Sequence, residues 1–338
     1  MSHWQEFLES QGARRRDNGG YAFAGDTQPL CSTSTWLSPL GHQGFISLTG
    51  PDATKFLQGQ VTCDVRELEK QQWLQGAQCN LKGRIVASFK LAALDSENLL
   101  LKTSADLLQT LLTSLQKYAV FSKVTLAADS QWLAFGLCGP SAAALVEQQT
   151  GLAPDIHGFQ ASDTVIALQH EPDRYELWVK VENAQKLWLS LAEHCQLAGT
   201  EHWQLSDIGA GIAEVDAATS ERFTPQDLNY QLIGAVSFKK GCYTGQEVVA
   251  RLHYKATLKK HLYRIAGAGE PPAAGTSICD AQGKNRGEVV QAIATDQGFE
   301  ALAVLPSADE NTLQLSDSGE PVTRLSLPYS IPSADNSD

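Results

Sequence analysis

The chain has 338 residues, 43% of them hydrophobic, with 26 Lys and Arg against 38 Asp and Glu for a net charge of -12. That length and apolar content are enough for two or three packed units without help from disulfides. The acidic balance argues against nucleic-acid binding by the chain as a whole, since phosphate contacts need positive charge, and leaves room for a local basic patch.

The chain opens with a short amphipathic piece, Trp4-Gln5-Glu6-Phe7-Leu8, followed by a polar stretch containing Gly19-Gly20. Gly44 to Leu48 has strand character and ends at the turn Thr49-Gly50-Pro51-Asp52. That turn leads into a short helix, Ala53 to Gln58. Strands are predicted over Arg84–Leu91 and Leu99–Leu101, an amphipathic helix over 104–118, and another strand over Val120–Leu126. A second round follows: a strand at Trp132–Leu137, a helix at Ala142–Gln149, a strand at Tyr175–Val179 and a helix over 183–195. Strands followed by a helix, twice, imply α+β units with antiparallel sheets packed on helices. From Leu262 short alternating runs are separated by Gly, Pro and Asp turns, which implies a small all-β barrel. The polar end, 331–338, has the composition of a disordered tail.

Cysteines stand at 31, 63, 79, 138, 195, 242 and 279, and none forms a Cys-x-x-Cys pair. No metal site is therefore predicted, and most of these thiols read as small buried hydrophobes in a reducing compartment. No apolar run approaches the roughly 18 residues of a membrane span. Arg14-Arg15-Arg16 precedes no secretory h-region. The chain reads as cytoplasmic, with no membrane contact.

The most informative segment is Lys239-Lys240-Gly241-Cys242-Tyr243-Thr244-Gly245-Gln246-Glu247. Thr244 followed three residues later by Glu247 has the pattern of a capping box, with Tyr243 and Val248 spaced as a hydrophobic staple. A helix then runs through Val249 and Leu252 towards Tyr254. This places Cys242 just ahead of a helix N-terminus, with Lys239 and Lys240 close by. Dipole and charge both favour a thiolate, so Cys242 is the candidate reactive thiol. The alternative is a glycine-containing turn that carries a cysteine by chance. Residues 239–264 hold seven Lys and Arg, with His253 and His261, against the single acid Glu247. Such a run faces an RNA backbone or an anionic ligand, or is an ordinary solvated face.

Lys240 to Glu247, with Arg251 following, resembles the signature of the YgfZ family of folate-binding proteins. That family is related to the glycine-cleavage T-protein and is linked to tRNA modification and iron–sulfur maintenance. Phe56 to Thr62 with Asp64, Lys82-Gly83-Arg84, Lys117 to Val124, and Phe223-Thr224-Pro225-Gln226 with Asn229 match its other motifs in order. The resemblance implies a T-protein-like ring of two α+β units and a C-terminal β-barrel. Residues 1–50 with 127–254 would form a discontinuous unit carrying the cysteine motif, 51–126 an inserted unit, and 255–330 the barrel.

The resemblance also implies tetrahydrofolate or a derivative as ligand. Trp203 falls where the family has a folate-contacting tryptophan, although a tryptophan there also suits a core. Gln60, Thr62, Asp64, Gln246 and Arg251 would accompany it in the folate site, the first three having a capped turn as their alternative, while Cys242 would face the folate cleft with Lys240 tuning its pKa. Gln43 stands where the family can carry a second tryptophan. The function implied is a folate-binding accessory protein for iron–sulfur enzymes, including tRNA-modifying ones. The alternatives are a folate-dependent one-carbon transferase using Asp64 or Glu214 as its carboxylate, and a non-catalytic folate-regulated binding module. With no RNA-binding motif in the sequence, direct contact with tRNA ranks last among the partners.

Overall fold

The computed structural model describes residues 3–24, 26, 33–255, 258–307 and 312–332. Cys31 and all but the first two residues of the 331–338 tail lie outside them. Two compact units emerge. The first takes Met1–Gln58, Val65–Gln75 and Phe89–Trp203; the second takes Gly59–Asp64, Gly76–Ser88 and Gln204–Asp338.

The first unit contains a six-stranded sheet ordered Phe159–Ala161, Val165–Glu171, Arg174–Lys180, Trp132–Cys138, Trp36–Pro39 and Gln196–Leu197. All its pairings are antiparallel except the last. Its core gathers Leu137, Leu177 and Val179 from the strands with Trp188 and Leu191 from the helix Val181–Ala192. Trp4, from the opening helix His3–Ser10, stacks on Phe135 at 5.3 Å, and Trp188 meets Phe135 edge-on at 5.2 Å. Each such buried side chain contributes roughly 1.5–3 kcal/mol by leaving water.

A five-stranded antiparallel sheet is ordered Leu74–Cys79, Ile85–Ala93, Asn98–Ser104, Gln43–Thr49 and Thr125–Ala128. Two sequence expectations shift here. The helix predicted over 104–118 is Leu108–Gln116, because Ser104 still belongs to a strand and Leu107 N turns back to its carbonyl. The strand predicted over 120–126 begins only at Thr125, opposite Thr49. Before that, Lys123 N donates to Asp52 Oδ2 at 2.8 Å and Ser122 N to the Ala119 carbonyl at 2.9 Å, which holds 119–124 as a turn with Phe121 99% exposed.

The second unit carries a closed antiparallel barrel of six strands: Lys260–Gly267, Gly298–Pro306, Asn285–Thr295, Ser277–Asp280, Leu313–Leu315 and Pro321–Leu325. Ile265, Ile278, Val289, Phe299 and Leu305 fill it. The fold is thus α+β with antiparallel sheets and a C-terminal barrel. The change of texture at Leu262 coincides with the first barrel strand.

Candidate functional site

Within the second unit the helix of the signature runs Gln246–Lys255. It starts one residue later than the Thr-x-x-Glu pattern places it. Gly245, at φ +83°, is the cap residue: its carbonyl accepts the first helical bond, from Val249 N at 3.4 Å. A Cβ on Gly245 would stand 2.5 Å from the Asn80 carbonyl oxygen and 3.0 Å from Cys79 Cβ. That close approach requires glycine and takes the cap away from Thr244. The Thr244 hydroxyl instead donates to Gln60 Oε1 at 3.4 Å. Cys242 therefore lies outside the turn in which the helix dipole acts most strongly.

Lys240 in the signature, Thr62 in the early motif, and Gln226 and Asn229 in the approach segment bond main-chain groups. Lys240 is 6% exposed, and its Nζ donates to the carbonyls of Val61 at 2.7 Å and Cys63 at 2.6 Å. The ammonium expected to tune the Cys242 thiol is thus directed inward, and it passes 5.2 Å from the Tyr243 ring. Thr62 is fully buried; its hydroxyl donates to the Ala235 carbonyl at 2.7 Å and accepts from Ala77 N at 2.9 Å. Gln226 Nε2 donates to the Val249 carbonyl at 2.7 Å, tying the approach segment to the helix. Asn229, in the left-handed region at φ +58°, accepts from Leu262 N at 3.3 Å and donates to the Leu262 carbonyl at 2.9 Å. These contacts leave Cys242, Lys239 and Arg251 as exposed members of the segment, with Gln60, Asp64 and Gln246 half-buried.

The cysteines separate cleanly. Burial pushes the Cys63 thiol up to about 12, with the Lys240 charge a partial offset, and burial alone pushes Cys79 up to about 12. Cys195 is raised to about 11 and Cys138 is raised, again by burial first. Cys279 is half-buried. Among the described cysteines Cys242 alone is exposed.

Trp203 belongs to the first unit and is 1% exposed. Its indole lies on Gly136, where a Cβ would come within 2.2 Å of the ring, so only glycine admits it. The Arg174 guanidinium sits 4.3 Å from the Trp203 ring centroid and Lys90 Nζ sits 5.6 Å away. His170 meets the same indole edge-on at 5.7 Å, and Trp73 lies 4.4 Å beyond His170.

At the centre of this cluster is Glu176, completely buried. Its carboxylate accepts from Lys102 at 2.5 Å, Lys90 at 2.9 Å and Trp178 Nε1 at 2.6 Å, with His170 Nε2 at 3.2 Å. Burial would raise the Glu176 carboxyl, but the Lys102 and Lys90 charges override it and hold the group well below the usual range. Burial first, then the Lys90 charge, lowers His170 to about 3, so its imidazole is neutral.

Sequence reading missed Glu176, Lys90, Lys102, His170 and Arg174. Their signal was ionisable side chains within four largely apolar strands, Ile85–Ala93, Asn98–Ser104, Val165–Glu171 and Arg174–Lys180. On a half-buried strand such a charge reads as the solvent face. The register shows otherwise: Lys90 and Lys102 are directly opposite each other on adjacent strands, a repulsive pair that needs a shared carboxylate. Gln43, at the position of the family's second tryptophan, is half-buried at the start of its strand.

No group of three His, Cys, Asp or Glu side chains among the described residues is arranged to hold a metal ion. No helix among them is long and apolar enough to cross a membrane.

Comparison with known proteins matches residues 32–169 to the GCVT N-terminal domain. The chain is 33% identical over 316 residues to the tRNA-modifying protein YgfZ of Enterobacter sp. (strain 638), covering 90% of this chain and 97% of that one. Its fold is that of the glycine cleavage system aminomethyltransferase T from Bartonella henselae, with a TM-score of 0.78 at 20% identity over 96% of each chain. With a relative 33% identical and covered over 97% of its length, the chain belongs to the YgfZ family, related through the GCVT domain to the glycine-cleavage T-protein.

Proposed function

We propose that this protein is a folate-binding accessory factor that supports iron–sulfur enzymes, among them tRNA-modifying ones, and that Cys242 is its reactive thiol. The observation that carries the thiol assignment is the inversion within one short segment. Lys240, Thr244 and Tyr243 turn inward or sideways to hold the chain, while Cys242 alone among the described cysteines is left in solvent. A packing role for Cys242 would call for burial, as at Cys63 and Cys79.

Folate binding is supported by the donor set of the first unit. A pterin needs an aromatic face and polar partners for its edge, and the glutamyl tail needs cations. Trp203 and Trp73 supply indoles; Glu176, His170, Lys90 and Arg174 supply the polar groups beside them. When bound, a tetrahydrofolate carries a one-carbon unit. The residues of this chain would hold and orient it. Tetrahydrofolate supply and the thiol would act in the same accessory role, which the name of the Enterobacter relative, a tRNA-modifying protein, supports.

Titration with tetrahydrofolate and its 5-formyl derivative, followed by tryptophan fluorescence and calorimetry, tests the reading on wild type, Trp203→Phe and Cys242→Ala. Saturable binding weakened by Trp203→Phe and retained by Cys242→Ala is expected. In cells lacking the native protein, Cys242→Ala is expected not to restore iron–sulfur enzyme activity. No folate binding, or full rescue by Cys242→Ala, would overturn the corresponding half. The likeness to aminomethyltransferase T, at 20% identity, bears on fold and gives a transferase reading no additional support.

A further inference from the structure

We infer that the far end of the signature helix, together with Phe238, is a stacking platform for a single-stranded polynucleotide. Phe238 and His253 lie face to face, with ring centroids 3.6 Å apart and planes 8° from parallel. Tyr254 stands against both, 4.7 Å from His253 and 6.0 Å from Phe238, at 74° and 72°. Tyr254 is 68% exposed and His253 is exposed, so the two helix rings cover no core, while Phe238 beneath them is half-buried. A flat, pre-stacked pair with an open tyrosine beside it offers π-faces at little cost in side-chain entropy.

The charges near it in sequence are mostly cations, with the exposed Glu247 at the start of the helix as the acid among them. Of the basic run, Lys240 is turned onto main-chain carbonyls and Arg264 is paired with Glu300 at 2.6 Å. Lys239 beside Phe238, Arg251 one helical turn before Tyr254, and Lys259 and Lys260 just after the helix are all exposed. On a protein of net charge -12, a local basic surface interleaved with open aromatic rings complements a phosphate backbone with unstacked bases. An acidic partner would use the cations and leave the rings idle. A duplex would use the phosphates and keep its bases covered. The sequence shows no binding motif because the platform is built from residues 15 apart, Phe238 and His253, that only the turn and helix bring together.

Fluorescence anisotropy of labelled oligo-U, oligo-dT and a folded tRNA, with the full chain at 20 and 150 mM salt, tests this. Oligo-U or oligo-dT is expected to bind more tightly at low salt than the same length as duplex. Tyr254→Ala and His253→Ala are each expected to weaken binding about ten-fold, as for loss of one stacked base. Tyr254→Phe should retain it. Lys259→Glu with Lys260→Glu should flatten the salt dependence by about two charges.

Preference for oligo-U and tRNA over oligo-dT would assign RNA; equal binding would assign single strands in general. No binding at 20 mM salt would overturn the inference. So would binding that Tyr254→Ala leaves unchanged, since that is attraction of a polyanion alone. Thermal unfolding of the variants checks that the fold is intact, and folate titration is read separately, so failure here leaves the proposed function standing.

Discussion

Two regions of this molecule use polar residues in opposite ways. Around Glu176, five ionisable side chains and the indoles of Trp178 and Trp203 are withdrawn from water into the first unit. Around Cys242, the second unit withdraws Lys240 and Thr62 to join separate stretches of main chain and leaves the thiol outside. The contrast separates side chains held dry by their partners from a thiol that solvent reaches. A sequence motif records both kinds in the same alphabet.

Substitutions that remove one partner at a time test this contrast. The largest effect is expected from Glu176→Gln, which leaves Lys90 and Lys102 facing each other without their carboxylate. Urea unfolding should show a loss of about 3–5 kcal/mol. A loss below about 1 kcal/mol would mean that the ammoniums have another counter-charge.

Next is pH. Because the folded value of His170 is lowered to about 3 from 6.5, the unfolded chain binds the extra proton between those values. Stability must then rise with pH across that window. Glu176, held below its ordinary value, contributes stability that is present above the unfolded carboxyl pKa and disappears as pH falls through the folded one. The His170→Gln variant should therefore flatten the curve between about pH 5 and 6.5, where His170 acts alone, and make the acid limb below it shallower, with Glu176 still supplying the remainder.

Smaller effects belong to the second unit. Lys240→Met removes the donor from two buried carbonyls and should cost about 1–3 kcal/mol. Gly245→Ala forces a Cβ against the Asn80 carbonyl at a positive φ, and should cost a similar amount, about 1–3 kcal/mol. The smallest effect is expected at Cys242→Ala, within about 0.5 kcal/mol, as for a surface position. In native wild type, iodoacetamide should label Cys242 well ahead of Cys63 and Cys79, as read by peptide mass mapping. Equal labelling of the three would erase the distinction between the two regions.

Much of the scaffold was legible because it depends on local pattern. The runs at Gly44–Leu48, Leu99–Leu101, Trp132–Leu137 and Tyr175–Val179 all became strands, and the short alternating runs after Leu262 closed a barrel. What escaped depends on neighbours remote in sequence. Thr244 looks like a cap until Asn80 is known to crowd Gly245. Lys90, Lys102 and Glu176 look like solvent-facing charges until strand register places them together. Trp203 was read both as a ligand contact and as a core side chain, and the structure shows it 1% exposed, with its indole on Gly136 and the Arg174 and Lys90 charges near its ring. His253 was read only as part of the basic run and Phe238 carried no signal, since stacking across a turn has no periodicity.

The tether formed by Lys240 also orders events in time. Its ammonium closes on oxygens that lie 179 and 177 positions earlier in the chain. During synthesis, the stretch from Val61 to Cys63 must wait for more than half of the polypeptide to follow before its carbonyls meet that donor. Contacts of such long range form late, after the local helices and hairpins. A nascent or truncated chain lacking residue 240 should therefore leave Cys63 and Cys79 open to alkylation. The pattern of reactive thiols then serves as a maturation clock: early chains react at the two cysteines that the finished protein hides, and the finished protein reacts at Cys242.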